Sequence, residues 1–463
     1  MVADMSGRQS RSDTQAETSD DHRASGDQAP HPNGVDHDAT HPAPELKRRK
    51  KRKGLNASVL IAFMLGHPEW KQAIRVNTFA GTMEVSTQFP PNGKASEGYR
   101  PLNEPGDILE AMVWFQNEGF PTTSKNLVWD VLCIAAHRNS YHPVKDYLDS
   151  LKWDGVPRVG GLFQHYFNGD VNAKSNPSET EAKHTDRMTA YLEHTSTCFM
   201  ISMVARIRRP GCKLDHTPVF DGRQGLNKGK AFRALMADEA WFSDDLGTDL
   251  GAKDTKDSLG GKWLIEMSEM PHAKKAVEQF KAFLSRPTDR FRKSYDKATK
   301  DYPREGALVG SSNELEFIDR TGNRRFWPIR VTGSIDDARI AADRDQLWAE
   351  AVVLYKAGYQ WWLAPAIEAI AAEQQAEFQE PDIWTELLET WLEGRAAVYP
   401  FTLAEAFSAA LGRPDASQIT KADENRAAGC LKSLGYRRRK MRIGRITKWL
   451  WTKEEASASV DGS

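Results

Sequence analysis

Cysteine is scarce in this sequence. Four occur in 463 residues, at positions 133, 198, 212 and 430, and gaps of that size match neither a disulfide framework nor a zinc-ligand or redox spacing. A reducing, cytoplasmic setting is therefore expected. Long apolar runs are missing too: VLIAFML at 59–65 has seven residues, against the ~18 that a membrane helix needs. The opening residues lack the apolar stretch of a secretory signal. Neither sign of charge dominates, with a net of −1, so composition alone points to no partner.

What is present is unevenly placed. Residues 1–45 are rich in Asp, Ser, His, Gly and Pro and nearly free of apolar clusters, so a disordered tail is expected over 1–53. The tail runs into KRRKKRK at 47–53, which is either a solvated junction or a mobile arm that neutralises phosphates. A second basic cluster, RRRKMRIGR, occupies 437–445.

Periodicity divides the remainder. Apolar residues at helical spacing over 57–65, 108–115 and 126–136 predict a mostly helical region across 54–185, with a hairpin in IRVNTFAGTMEV at 74–85. In SYHPVKDYLDSLKWDGVPRV at 140–159, a proline-opened helix closes at Asp154-Gly155, and His142 reads as a neighbour of the helix cap. A helix over 186–208 leads to a strand ending at Phe220, then to the loop DGRQGLNKGK and a following helix. Further strands are expected in KWLIEMSEM (262–270), ALVGSSNE (307–314) and RFWPIRV (325–331). Strand–helix alternation predicts an α/β domain over 186–362 with a parallel sheet covered on both faces.

The loop from Gly222 to Gly229 follows G-x-x-x-x-G-K-[ST] except at two places: Asn227 replaces the second glycine, and Gly229 replaces the hydroxyl residue. A strand, a loop and a helix form the context that a phosphate-binding loop requires. Glu266 and Glu269 sit where a parallel strand presents carboxylates to a ligand. Together, RIRRPGCKLDHTPVFDGRQGLNKGK, GKWLIEMSEM, KAFLSRPTDRFRKSYDK and GSSNELEFIDRTGNRRFWPI, with YHPVKDYLDSLKWDGVPR upstream, resemble the ATPase module of the virulence-associated protein E family of phages and mobile elements. That module is similar to superfamily 3 helicases and AAA+ ATPases.

The resemblance implies a P-loop NTPase fold with ATP and Mg²⁺ as cofactors. Gly222, Gly225, Asn227, Lys228, Gly229 and Lys230 form the nucleotide loop, with Lys228 on the phosphates and Lys230 as the alternative register. Glu266 and Glu269 would hold Mg²⁺ through water and polarise the attacking water, and Asn313 would orient it. Arg324 or Arg325 would be an arginine finger reaching a neighbour in a homo-oligomeric ring, such as a hexamer. Lys281, Arg290, Arg292, Lys293, Tyr295 and Lys297 would contact single-stranded DNA by mixing cations with an aromatic; a solvated basic face is the plain alternative.

The two departures differ in weight. Asparagine tolerates positive φ better than other non-glycine residues, so Asn227 is the milder. Gly229 removes a direct Mg²⁺ ligand, and Gly229→Thr is expected to raise turnover by restoring it. Beyond a linker at 363–382, helices over 384–392, 402–411 and 420–434 and a hairpin in RRRKMRIGRITKWLW predict a winged helix-like domain at 383–455 and a short tail at 456–463. There Arg437, Arg438, Arg439 and Lys440 would face duplex phosphates, and Trp449 and Trp451 would share a core-facing side. The expected function is a DNA-associated ATPase acting as a replicative helicase-like motor, with any primer synthesis left to a separate primase or replication protein. The alternative is a non-hydrolysing DNA-binding or interaction protein that keeps the scaffold.

Overall fold

The computed structural model describes residues 56–94, 97–120, 124–172, 180–247, 249–268, 274–291, 299–313, 323–378, 382–394, 399–413, 415, 417, 419–443 and 446–453. The tails expected at 1–53 and 456–463, and the residues Glu269, Arg292, Lys293, Tyr295 and Lys297, lie outside the described residues.

The first packing unit comprises α1 (Ala57–Gly66), β1 (Ile74–Asn77), β2 (Thr82–Ser86), β3 (Tyr99–Pro101), α2 (Gly106–Asn117), α3 (Lys125–Arg138) and β4 (Ser140–Tyr141). Asn56 and Ser124 start α1 and α3 by accepting hydrogen bonds from the amides of Val59 and Leu127, as short polar N-caps do. The expected hairpin is β1–β2, which turns through Gly81 at φ 69°. This region is less helical than its periodicity suggests, because β3 and β4 extend the hairpin into a four-stranded sheet ordered β3-β2-β1-β4. The Arg75 guanidinium ties the added strands in, lying 3.5 Å from the Tyr99 ring centroid and 3.9 Å from that of Tyr141 while bonding Glu84. Leu60, Trp70, Val85, Phe115 and Val131 are among the residues that fill this unit's core.

Apart from Phe79, the larger core is built from α4 (Pro143–Ser150) onward, well before residue 186. His142 caps this helix: its Nδ1 accepts from the amide of Lys145 at 3.2 Å, and its Nε2 lies 3.0 Å from Glu305 Oε1. There follow α5 (Glu181–Arg208), β5 (Thr217–Asp221), α6 (Lys228–Ala234), β6 (Phe242–Ser243), α7 (Lys253–Ser258), β7 (Leu264–Ser268), α8 (Lys274–Leu284), β8 (Thr288–Phe291), β9 (Lys300–Pro303), β10 (Ala307–Ser312), β11 (Phe326–Arg330), α9 (Asp337–Lys356) and α10 (Pro365–Glu377).

Five of these strands form a sheet in the order β11-β5-β10-β7-β6, every neighbouring pair parallel. The fold is therefore mixed α/β around a parallel sheet, as expected. Alternate strand residues explain why both faces are covered. Phe220, Leu264, Val309 and Ile329 pack with α5, α6 and α9, while Val219, Ile265, Leu308 and Phe326 pack with Phe280, Phe283 and Leu284 of α8. Buried indoles secure the first layer: Trp263 Nε1 donates to Met203 O and Trp348 Nε1 to Leu235 O.

The segment expected to be a linker is instead structural. Within 363–382, Pro365 opens α10, Ile367 and Ala371 enter the larger core, and Gln375 Nε2 donates to Phe326 O at 2.8 Å. The C-terminal unit holds α11 (Ile383–Glu393), α12 (Leu403–Ala409), α13 (Lys421–Ser433) and the antiparallel pair β12 (Tyr436–Ile443) and β13 (Ile446–Lys453). Capping boxes start α12 at Thr402 and α13 at Thr420, and Gly435 leaves α13 at φ 82°. Trp384, Leu388, Phe407, Leu431 and Trp451 share its core. Trp449 is a correction: it is 51 % exposed, and the Arg438 guanidinium lies 4.9 Å from its ring centroid.

Candidate nucleotide-binding site

Because the central strands are parallel, the ends of β5, β7 and β10 open on one edge of the sheet. Sequence-distant residues meet there. The loop after β5 is anchored by Gly222, whose amide donates to Ser312 O at 3.1 Å. A Cβ on Gly222 would stand 2.6 Å from Val331 O, so only glycine allows the loop to leave the strand this closely. Gly225 turns at φ 88° and Asn227 at φ 63°. The asparagine thus holds the left-handed position that the pattern gives to glycine. Leu226 is buried and clamps the loop from below, its carbonyl accepting from the amide of Ile335 at 3.0 Å.

Lys228, the first residue of α6, turns back into the loop. Its Nζ donates to Gly222 O, to Arg223 O at 3.3 Å and to Asn313 Oδ1 at 3.4 Å. The side chain is 9 % exposed, whereas Lys230 points to solvent. Burial lowers the Lys228 pKa, while the carboxylates of Asp221 and Glu266 pull it the other way. Glu266 on β7 is 5 % exposed, and burial raises its pKa against the opposing hydrogen bond from Ser311. Ser311 Oγ donates to Glu266 Oε1 at 2.6 Å. Asp221 and Ser311 are the members of this cluster that sequence reasoning missed. The hint for Ser311 was a polar residue inside the apolar strand ALVGSS.

Arg324 and Arg325 are not at this edge. They precede β11, whose Phe326 pairs with Thr217 at the start of β5, so they lie at the opposite end of the strands. There they line a cavity of about 660 Å³ with Lys213, His216, Trp327 and Trp361. The His216 ring stacks on Trp327 at 3.9 Å between centroids, and burial pushes its pKa down to about 3. Arg325 Nε donates to Ser285 Oγ at 3.2 Å.

The residues read as DNA contacts separate into two groups. Lys281 is a correction: it is 3 % exposed on α8 with Nζ 3.3 Å from Glu278 Oε1, so it presents no cation to a strand. Its helical neighbours Phe280, Phe283 and Leu284 pull that face into the core. Arg290 is exposed on β8, which pairs with β9 as a hairpin. Arg437, Arg438, Arg439 and Lys440 are all exposed on β12.

Comparison with known proteins matches a family profile, the virulence-associated protein E-like domain, over residues 148–380. The chain belongs to this family. The VapE-like span takes in the loop, β7, β10 and both arginines, and it ends just beyond α10, in keeping with that helix's place in the core. No curated protein matches the chain. Among solved structures, the A-form apo C-terminal region of NrS-1 is similar at 13 % identity, covering 82 % of this chain and 96 % of that one with a TM-score of 0.44. A second apo structure of that region shares 11 % identity over 84 % of this chain and all of that one, with a TM-score of 0.40. An inhibitor-bound JCV helicase shares 10 % over 60 % of this chain and 82 % of that one, with a TM-score of 0.25. At these scores none of the overlays places a residue.

Proposed function

We propose that the VapE-like chain is a DNA-associated P-loop ATPase of a phage or mobile element, working as a replicative helicase-like motor. The observation that carries this reading is the meeting of Lys228, Glu266 and Asn313, from three separate strand ends, around one left-handed loop. The loop's backbone amides cradle the phosphates. Lys228 then exchanges the carbonyls of Gly222 and Arg223 for phosphate oxygens, and Asn313, which it already touches, orients the attacking water.

Glu266 fits a metal role. Its Oε1 is taken by Ser311, and among the described residues no hydrogen bond reaches Oε2. Glu266, with Glu269, would hold Mg²⁺, which would supply positive charge to offset that of the phosphates.

The opposed placement of Arg324 and Arg325 favours action on a neighbour over action on their own chain's nucleotide, and so favours a homo-oligomeric ring. Arg290 and the exposed run Arg437–Lys440 supply phosphate contacts, the latter from three helices and a hairpin that suit a winged helix. No helix among the described residues is long and apolar enough to cross a membrane. The test is ATP hydrolysis by the purified full chain, with and without single-stranded DNA. Turnover that single-stranded DNA stimulates and Lys228→Ala abolishes is expected. A folded, DNA-binding protein without turnover would favour the non-hydrolysing alternative.

A further inference from the structure

We infer that Gly229 and Glu266 are a compensating pair, in which the Glu266 carboxylate takes over the direct Mg²⁺-ligand place of the missing loop hydroxyl. This rests on the nucleotide site proposed above. A Cβ built on Gly229 would stand 2.9 Å from Glu266 Oε2 and 3.6 Å from Oε1. The carboxylate therefore fills the space that a serine or threonine side chain at 229 would need. Glycine is the residue that lets it stay there.

Three features hold the carboxylate in that place. Ser311, itself buried, donates to Oε1 at 2.6 Å and fixes the plane of the group. The β7–β10 register sets Glu266 against Val309 and Ser268 against Ser311, which puts the serine hydroxyl within reach. Glutamate is one methylene longer than aspartate, and that length carries Oε2 across to α6.

The charges are arranged to match. Lys228 Nζ donates to Gly222 O, Arg223 O and Asn313 Oδ1 rather than to Glu266. Oε2 thus accepts no hydrogen bond among the described residues, which leaves that carboxylate oxygen available to a cation. Mg²⁺ prefers hard oxygen ligands, and a carboxylate brings a full negative charge where a hydroxyl brings none. The Gly229 departure is then a relocation of the ligand rather than its loss. The expected benefit of Gly229→Thr reverses: the added side chain displaces Glu266 and weakens metal binding.

The test is binding of a fluorescent ADP analogue to the full chain, measured in EDTA and across a Mg²⁺ titration. Binding in EDTA gives each protein's Mg²⁺-independent affinity as the baseline, and circular dichroism shows that each variant is folded. Glu266→Gln should raise the Mg²⁺ concentration needed for tight binding by about 10–100-fold. Gly229→Thr should shift it in the same direction, and adding Glu266→Asp to Gly229→Thr should restore much of the loss by clearing space for the hydroxyl. A wild-type Mg²⁺ response in Glu266→Gln would overturn the inference. So would tighter Mg²⁺ coupling in Gly229→Thr alone. A wild type that binds no ADP in either condition would instead sink the proposed nucleotide site, and this inference with it.

Discussion

The two edges of the central sheet are built on different principles. At the loop edge, Lys228 and Glu266 are drawn inward, each nearly buried and tied to a loop carbonyl or a serine hydroxyl. At the opposite edge, Arg324 is exposed beside a cavity walled by Trp327 and Trp361. The first edge holds its charged groups in place by hydrogen bonds within the chain, which on the proposed reading arranges them ahead of a phosphate ligand. The second has cations that lie at the far end of the strands from that loop. A strand rises ~3.3 Å per residue, so the five residues of β11 hold the two sets far apart. On the proposed reading, the halves of a transfer site face away from each other within one chain and can meet between two.

Breaking the loop edge should have the largest effect. Lys228→Ala should abolish nucleotide binding, read by equilibrium titration, while Lys230→Ala leaves it intact because that side chain points to solvent. Equal loss in both would dissolve the distinction between them. Breaking the other edge should leave binding alone and strike turnover. Replacing Arg324 and Arg325 by Ala should lower hydrolysis by ~10³-fold if one is a finger, with nucleotide affinity unchanged. Parallel loss of affinity would place the arginines in the binding site itself.

Damage away from both edges sharpens the contrast. Asp382 caps α11 and accepts from Arg426. Burial opposes its charge, but the Arg426 hydrogen bond, helped by the Trp384 amide and Cys430, holds its pKa below the ordinary value. A depressed carboxylate stabilises the fold above its unfolded pKa and loses that contribution as pH falls through the folded one. Asp382→Asn should therefore cost about 1–2 kcal/mol at neutral pH, after discounting for the half-exposed Arg426. The gap from wild type should close below pH ~4. Urea unfolding against pH measures this, and ATP turnover at neutral pH should be unaffected. The smallest change belongs to β12: replacing Arg437, Arg438 and Arg439 by Ala should reduce the salt dependence of duplex binding. The log–log slope should fall by about 0.9 for each phosphate that the wing no longer neutralises. An unchanged slope would make the wing cations plain surface.

What could be read from sequence was mostly local. The loop, its strand and the α/β class were legible because Gly222, Gly225 and Lys228 keep their spacing between an apolar run and a helix. Asn227 was legible for the same reason, and its φ of 63° follows from the tolerance of asparagine. The linker expectation at 363–382 failed because α10 buries little beyond Ile367, Ala371, Gln374 and Gln375, too small a stripe to stand out among alanines and glutamines. Lys281 was read as a free cation because helix periodicity does not show which neighbours cover a lysine stem. The Ser311–Glu266 bond and the opposed place of Arg324 and Arg325 depend on strand order. No window of sequence contains them.

The most direct test of the two-edge account mixes two inactive proteins. Lys228→Ala keeps its arginine edge, and the Arg324→Ala, Arg325→Ala double variant keeps its loop edge. Each alone should hydrolyse almost no ATP, and their mixture should recover turnover, since an intact loop of one copy then faces intact arginines of another. A mixture that stays as inactive as its parts, from variants that fold and co-assemble, would contradict the account.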